Sequence, residues 1–421
     1  MGGSIVPPGP PGSGIGRGQD PDGPAPPPLR VAFFTDTFVP AHDGVSQVTD
    51  TLARALLRQG NAVTIFTVRS PGLPRSETRP DGLAVRRYRS ISAPSYPQYR
   101  IALTPWTVLL RRRRDFDLVH IHTPGFVGLA GWLAARRWRC PTIGTYHTNL
   151  TDLLRATGSN ALSRAFFRAW SRFSIDICRR SDLATAPSEA ARSALLPRTG
   201  TRPSAVPRLV VNGVDTERFR PGIHAPDWRR RIGRPNDRLI TFLGRLTQDK
   251  GANRVLDALE QVDSGLSWVG VLGGEGPEGP ALAARLRKSP RLTGRVRFVG
   301  VVPEEDKPAL LSQSSIFVLP SRSDTSSVAL LEAMASGATA VVSSRGGPGE
   351  IARRSEVGLI VDPDDTQGLA RAIERLLTDR ALAARFSDLG RSWVVEQAST
   401  ERMAAQMLDC YRTVLGRTGR A

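Results

Sequence analysis

The sequence predicts an α/β protein built as two parallel-sheet domains facing a cleft, and three observations carry that expectation. At 421 residues the chain exceeds what one hydrophobic core organises. Short apolar runs alternate with helical segments through both halves, the pattern of Rossmann-like β-α units. Between them, the stretch from Arg220 to Asn236 holds Pro221, Gly222, Pro226, Gly233 and Pro235, turn and hinge residues that mark a seam.

In chain order, residues 1–29 are dominated by Pro and Gly with almost no large apolar side chains. They bury too little to offset the entropy of ordering and are expected to be a disordered tail. The first domain is expected over residues 30–222, with strands at Val31–Phe34, Ala62–Thr67, Leu118–Ile121, Thr142–Tyr146, Leu183–Ala186 and Leu209–Val211. The second is expected over residues 223–398, with strands at Leu239–Leu243, Trp268–Leu272, Val296–Val299, Ile316–Leu319, Ala340–Ser343 and Leu359–Val361. Helices fill most of the gaps, and a final one, Ser399 to Leu415, opens the segment 399–421. The apolar run Phe126 to Ala135 is too short for a bilayer and is followed by Arg136, Arg137 and Arg139, so it reads as a packed helix.

Composition bounds the function. The chain carries 58 Lys and Arg against 39 Asp and Glu, a formal net charge of +19, nearly all of it from Arg. Such a surface attracts polyanions, anionic headgroups or phosphorylated substrates; a general enrichment in Arg, Ala, Gly and Pro accounts for it equally well with no functional consequence. Cys140, Cys178 and Cys410 are too few and too far apart for a disulfide framework or a metal-ligand set. No basic start with an apolar core resembles a secretory signal, so the expected location is cytoplasmic, or peripheral at the inner face of the plasma membrane. No nucleic-acid reader motif accompanies the charge.

In open parallel sheets, ligands bind beyond the carboxyl ends of the strands, and the strand-end loops here hold the chemistry. After Leu239–Leu243 come Arg245 and Lys250, just before a helix start whose N–H groups and dipole already favour anions. Two cations there can neutralise a diphosphate, although such a pair taken alone is more often solvated charge. After Ile316–Leu319, Asp324 lies in the loop and Glu332 inside the following helix, where two carboxylates can accept hydrogen bonds from the hydroxyls of a sugar and of a ribose. Glu332 sits in the mostly apolar run Val328 to Ala335, which weighs against an ordinary surface role. In the first half, Gly44 closes the loop after the opening strand and permits close approach of a ligand to the backbone, or serves as a plain turn. His147 ends another strand near the cleft, while His120 and His122 read as packing residues. Gly274-Glu275-Gly276-Pro277-Glu278-Gly279 matches a dinucleotide fingerprint, but it follows a later strand and lacks an acid about 20 residues on. A tight strand-to-helix turn explains its glycines.

From Arg30 to Leu415 these segments together resemble the retaining glycosyltransferases of family 4, with the GT-B fold, a group that includes phosphatidylinositol mannosyltransferases. The likeness runs through His42-Asp43-Gly44-Val45-Ser46, Tyr146-His147, Val211-Asn212-Gly213-Val214-Asp215, Gly244-Arg245-Leu246 with Lys250-Gly251, and Gly273-Gly274-Glu275-Gly276-Pro277. Pro320-Ser321 through Leu331-Glu332-Ala333, Gly346-Gly347-Pro348 and Glu350 complete it. The resemblance implies that Arg245 and Lys250 grip a donor diphosphate, that Asp324 contacts the donor sugar and Glu332 the ribose. It further implies that His147 lies by the sugar, that Gly44 lets the first domain close over the phosphates, and that the C-terminal helix crosses back to that domain. Phe298-Val299-Gly300-Val301 is a candidate wall for the base. Asp324 stands where the family usually has Glu, and Ser326-Ser327 replace its common Phe-Gly.

The implied reaction is transfer of a hexose with retained configuration, α-mannosyl from GDP-mannose being favoured, to a lipid or lipid-linked acceptor. A UDP-sugar-dependent transferase acting on a small molecule or polysaccharide is the alternative, and a catalytically silent nucleotide-sugar-binding scaffold is a third. Neither a cofactor nor a metal is expected, since the two cations can carry the leaving group's charge. For the acceptor, Arg164, Arg168 and Arg172 recur along one helix face, with Phe166, Phe167, Trp170 and Phe173 on the other. With Arg111 to Arg114 they form a candidate surface for anionic lipid, or the two faces of an ordinary half-buried helix.

Overall fold

The computed structural model describes residues 27–41, 43–93, 96–111, 115–147, 161–196, 206–223, 228, 230 and 236–417. Residues 1–26 of the expected tail, His42, 112–114, Thr148, Asn149 and most of the Pro/Gly seam lie outside the described residues, as do the side chains of Arg164, Phe166 and Phe167.

The first half runs β1 (Arg30–Phe34), α1 (Gly44–Arg58), β2 (Ala62–Val68), β3 (Ser76–Thr78), β4 (Ala84–Tyr88), β5 (Ser90–Ala93), β6 (Tyr96–Ala102), a 3-10 helix (Pro105–Leu110), β7 (Leu118–Ile121), α2 (Phe126–Trp138), β8 (Thr142–Thr145), α3 (Ala161–Arg179), β9 (Leu183–Ala186), α4 (Glu189–Leu195) and β10 (Arg208–Leu209). The second half runs β11 (Arg238–Leu243), α5 (Ala252–Leu259), β12 (Trp268–Gly273), α6 (Gly279–Lys288), β13 (Val296–Gly300), α7 (Lys307–Gln313), β14 (Ser314–Leu319), α8 (Val328–Ala335), β15 (Thr339–Ser343), α9 (Gly346–Ser355), β16 (Leu359–Val361), α10 (Thr366–Thr378), α11 (Arg380–Gln397) and α12 (Thr400–Arg417).

Two sheets result. The first has the order β10-β9-β8-β7-β1-β2-β4-β3, and the second β13-β12-β11-β14-β15-β16. Both are parallel except for the edge pair β3–β4. Each reverses its winding once, between β1 and β7 and between β11 and β14, and a crevice opens at such switch points beyond the strand ends. The side chains explain the layering. On β1, Val31 and Phe33 pack with α1 on one face, while Ala32 and Phe34 pack with α2 on the other. Phe34 lies against Gly131, where a Cβ would come within 2.3 Å of its ring.

Each predicted strand has a counterpart. The difference is the region between β2 and β7, where the sequence reading expected no strands and the structure holds β3 to β6. The cause is charge in an inward position: Arg87 on β4 is 6% exposed, paired at 2.6 Å with Glu77 on β3. Arginines inside the strand hid its alternation.

The last helix, α12, crosses back to the first domain. It packs along α1 with Met403, Met407, Tyr411 and Val414 buried, and Tyr411 Oη lies 2.8 Å from His120 Nδ1 on β7. The outgoing and returning crossings touch: Val214 N donates to Ala398 O and Thr400 N to Val214 O, and a Cβ on Gly213 would meet Ser399 O at 2.8 Å. Among the described residues no helix is long and apolar enough to cross a membrane.

Candidate active site

The site is assembled at the carboxyl edge of the second sheet, on the loops leaving β11 and β14. Lys250 Nζ lies 2.6 Å from Asp324 Oδ2, with side chains 15% and 10% exposed. Arg245, one turn earlier, is 3.9 Å from Asp249. These two loops are bolted together by groups the sequence reading did not single out. Arg254, 5% exposed, donates to the carbonyls of Gln248 at 3.1 Å and Pro320 at 3.0 Å, while Arg322 N and Ser321 Oγ donate to Asp249 O. Gly251 initiates α5 at φ 80°, and no side chain caps that helix. The position of Asp324 is fixed from below, because Gly347 N donates to its carbonyl at 2.7 Å and a Cβ on Gly346 would meet the same oxygen at 2.5 Å.

Glu332 lies on α8, 5% exposed, and burial pushes its carboxyl up to about 7 despite the opposing fields of Lys307 and Arg218. Glu304 joins this group, paired with Lys307 and 3.6 Å from Arg218, and accepts from Gln47 Nε2 of α1 at 2.5 Å. The signal that marks Lys307 was present in the sequence. Only three of the 58 basic residues are lysines, and two of them, Lys250 and Lys307, stand beside the two predicted carboxylates. A composition that favours arginine keeps lysine where a compact ammonium fits and a guanidinium does not.

The first domain meets this loop directly. Gly44 is the first residue of α1, capped by Asp43, whose Oδ1 accepts from Val45 N and Ser46 N. Across the cleft, Val328 stands 3.9 Å from where a Cβ of Gly44 would be. Thr325 Oγ1 donates to the carbonyl of His147, and Asn212 Nδ2 to Ser326 Oγ at 3.1 Å. Ser327, the other departure from the family pattern, caps α8 by accepting from Leu330 N. Glu350 accepts from the Glu189 amide at the start of α4 at 2.7 Å. Gly44, His147, Lys250 and Asp324 thus gather around one loop, with Glu332 one helix turn beyond it and Arg245 on the neighbouring strand end.

His147 is 8% exposed, and its Nε2 turns inward to His122 Nδ1 at 3.1 Å. Burial lowers it to about 4, so the ring is neutral near pH 7. His120 and His122 are packing residues, their ring centroids 3.9 Å apart and tilted by 33°, and burial holds both well below their ordinary value. The glycine-rich turn after β12 is structural: a Cβ on Gly274, at φ 140°, would come within 1.8 Å of Gly244 O. It lets that turn lie against the Arg245 loop. Phe298, Val299 and Gly300, the candidate base wall, are only partly covered at the sheet edge, and Val301 is 38% exposed. A further residue missed from sequence is Asp36 at the end of β1, which accepts from Gly125, Val127 and Gly128 N–H groups and so caps α2. Burial raises it to about 6.

Residues 42–218 match the Glycosyltransferase Family 4 family and residues 225–393 the Glycosyl transferases group 1 family, one on each sheet. A GDP-mannose-dependent alpha-mannosyltransferase of Mycobacterium tuberculosis is 29% identical, across 92% of this chain and 98% of its own. A GDP-mannose-dependent alpha-(1-6)-phosphatidylinositol monomannoside mannosyltransferase of the same organism is 27% identical, across 91% and 98%. In architecture the chain superposes on Anabaena HepE, solved with UDP-glucose, with a TM-score of 0.72 over 91% of this chain and 100% of that one, at 18% identity. With two doubly wound sheets, the helix that returns across them and both family matches in place, the chain belongs to the family 4 glycosyltransferases and is a hexosyltransferase of the GT-B fold.

Proposed function

We propose that this enzyme transfers an α-mannosyl group from GDP-mannose, with retained configuration, to a lipid or lipid-linked acceptor. The observation that carries the donor site is the Lys250–Asp324 contact at the switch point of the second sheet. A cation and a hydroxyl-accepting carboxylate side by side suit a diphosphate joined to a sugar. In this reading Lys250 and Arg245 neutralise the diphosphate, Asp324 accepts from sugar hydroxyls and Glu332 from the ribose. Neutral His147 lines the sugar near the reacting centre, and Gly44 lets α1 approach the phosphates. The bond from the anomeric carbon to the leaving phosphate oxygen breaks as the acceptor oxygen bonds to the same face. The acceptor's proton passes to the departing diphosphate, whose charge Arg245 and Lys250 hold without a metal. The relatives that depend on GDP-mannose support the choice of donor, and a cytoplasmic site of action fits such a substrate.

An apolar cavity of about 230 Å³ supports a lipid acceptor. It lies in the first domain between α2 and α3, lined by Phe126, Leu129, Ala169, Trp170 and Phe173, with Arg168 and Arg172 exposed beside it. Incubation with labelled GDP-mannose or UDP-glucose and a lipid extract, followed by NMR of the product, tests the reading. An α-linked mannolipid is expected; a β-linkage or a water-soluble acceptor overturns it, and binding without turnover identifies a silent scaffold.

A further inference from the structure

The hairpin β5–β6 and the 3-10 helix after it form a surface that the site above does not use. Pairing sets Ile91 opposite Ile101, and Leu103 follows on the same side by strand alternation, while Ala102 faces inward and is buried. The short helix seats Pro105 and Val108 toward the core and leaves Trp106 and Leu110 outward. Ile91 is 51% exposed, Leu103 50%, Trp106 40% and Leu110 83%. Among the described residues these are four of the ten large apolar side chains most open to solvent, and all lie within twenty residues of chain. Singly exposed apolar residues need no explanation; a cluster does.

Charge says what covers it. Between Asp81 and Asp115 the sequence has eight arginines and no acidic residue. Of these, Arg87 turns inward to Glu77 and residues 112–114 lie outside the described residues, while Arg89, Arg100 and Arg111 stand by the hairpin and the 3-10 helix. Arg89 flanks the hairpin, since Leu103 N donates to its carbonyl. Arg137 Nε donates to Leu109 O at 2.7 Å and Trp138 Nε1 to Arg111 O at 3.1 Å, which holds two cationic side chains beside the 3-10 helix. Asp115, 4.0 Å from Arg111, offsets part of that charge. Aliphatic side chains at the centre offer nucleic acid no stacking platform, and one tryptophan between an apolar body and a cationic rim suits a headgroup boundary.

We propose that this face docks on an anionic lipid bilayer, with Leu103, Trp106 and Leu110 entering the headgroup region and the surrounding arginines resting on phosphates. It deepens the lipid-acceptor reading and rests on that reading for its purpose, while the contact itself needs no acceptor. The test is therefore co-sedimentation with vesicles of phosphatidylcholine, with or without phosphatidylglycerol, which carry no glycosyl acceptor. Wild-type protein is expected to bind the anionic vesicles at least tenfold more strongly than the neutral ones, and W106E with L110E to lose at least tenfold of that binding. Nucleotide-sugar binding should be unchanged in the variant, and it reports independently on the donor reading. Brominated lipid should quench wild-type fluorescence more than that of Trp106→Phe, a conservative change at a position 40% exposed, with the six remaining tryptophans common to both proteins. Failure of wild-type protein to bind, equal binding by the variant, or conversion of a dimer to a monomer by L110E, which marks the face as a contact between copies, would each overturn the proposal.

Discussion

Lys250 and Asp324 neutralise one another at 2.6 Å in a largely covered site. Removing one leaves a nearly buried charge unpaired. Replacing Lys250 with Ala should therefore weaken nucleotide-sugar binding by roughly tenfold to a hundredfold, the worth of one charge-assisted contact. Glu332 makes a different statement. Its folded value of about 7 lies above the unfolded carboxylate, so the fold favours the protonated form. That contribution is present in full below the ordinary carboxylate value and is lost as pH rises through about 7. Glu332→Gln should leave stability unchanged at pH 4 and raise it at pH 8 by at most about 3 kcal/mol, as read from urea midpoints. The same variant should bind donor more weakly, a trade of stability for function. His147 works in the opposite sense: its value of about 4 is depressed, so its stabilising neutral form is lost as pH falls from the ordinary histidine range toward 4.

Loops, more than strands, decide where those residues stand. Gly346, at φ 68°, leaves room for the Asp324 carbonyl to accept from Gly347 N, and any Cβ on Gly346 meets that oxygen at 2.5 Å. Gly346→Ala should destabilise the protein by roughly 1–3 kcal/mol and weaken donor binding with it. Calorimetric melting and donor titration check both together; a stable variant with normal affinity would deny the support. The same scale explains what was legible in sequence. Parallel strands buried on both faces announce themselves as apolar runs, and Leu118–Ile121 and Leu183–Ala186 were readable to the residue. Strand β4 was not, because Arg87 points into protein and is answered by Glu77 on the preceding strand, ten residues earlier. Arg254 was hidden for a related reason: an arginine whose Nη2 is turned to loop carbonyls looks, in sequence, like any surface charge. Ser326 and Ser327 read as losses from the family pattern, whereas in the structure one meets Asn212 across the cleft and the other caps α8.

At the scale of the molecule, two domains are tied at a few polar contacts and by one returning helix. Gln47 to Glu304, Asn212 to Ser326, Thr325 to His147 and Glu350 to Glu189 all bridge first-sheet and second-sheet elements around the site. Helix α12 contributes the apolar part: Met403, Met407, Leu408, Tyr411 and Val414 are buried in the core shared with α1. At roughly 1.5–3 kcal/mol for each such side chain, their burial is on the order of 10 kcal/mol, comparable with the whole stability of a domain. Ending the chain at Ala398 should therefore yield protein whose first sheet fails to fold, seen as lost circular dichroism and aggregation; a soluble, folded truncation would show that the helix is dispensable. The central claim is that the Lys250–Asp324 crevice is a nucleotide-sugar site, and calorimetric titration with a panel of GDP- and UDP-sugars, wild type beside Lys250→Ala, tests it most directly. Tight binding of GDP-mannose that the substitution weakens at least tenfold is the predicted result. Equal affinity in the two proteins, or no binding of any member of the panel, would contradict it.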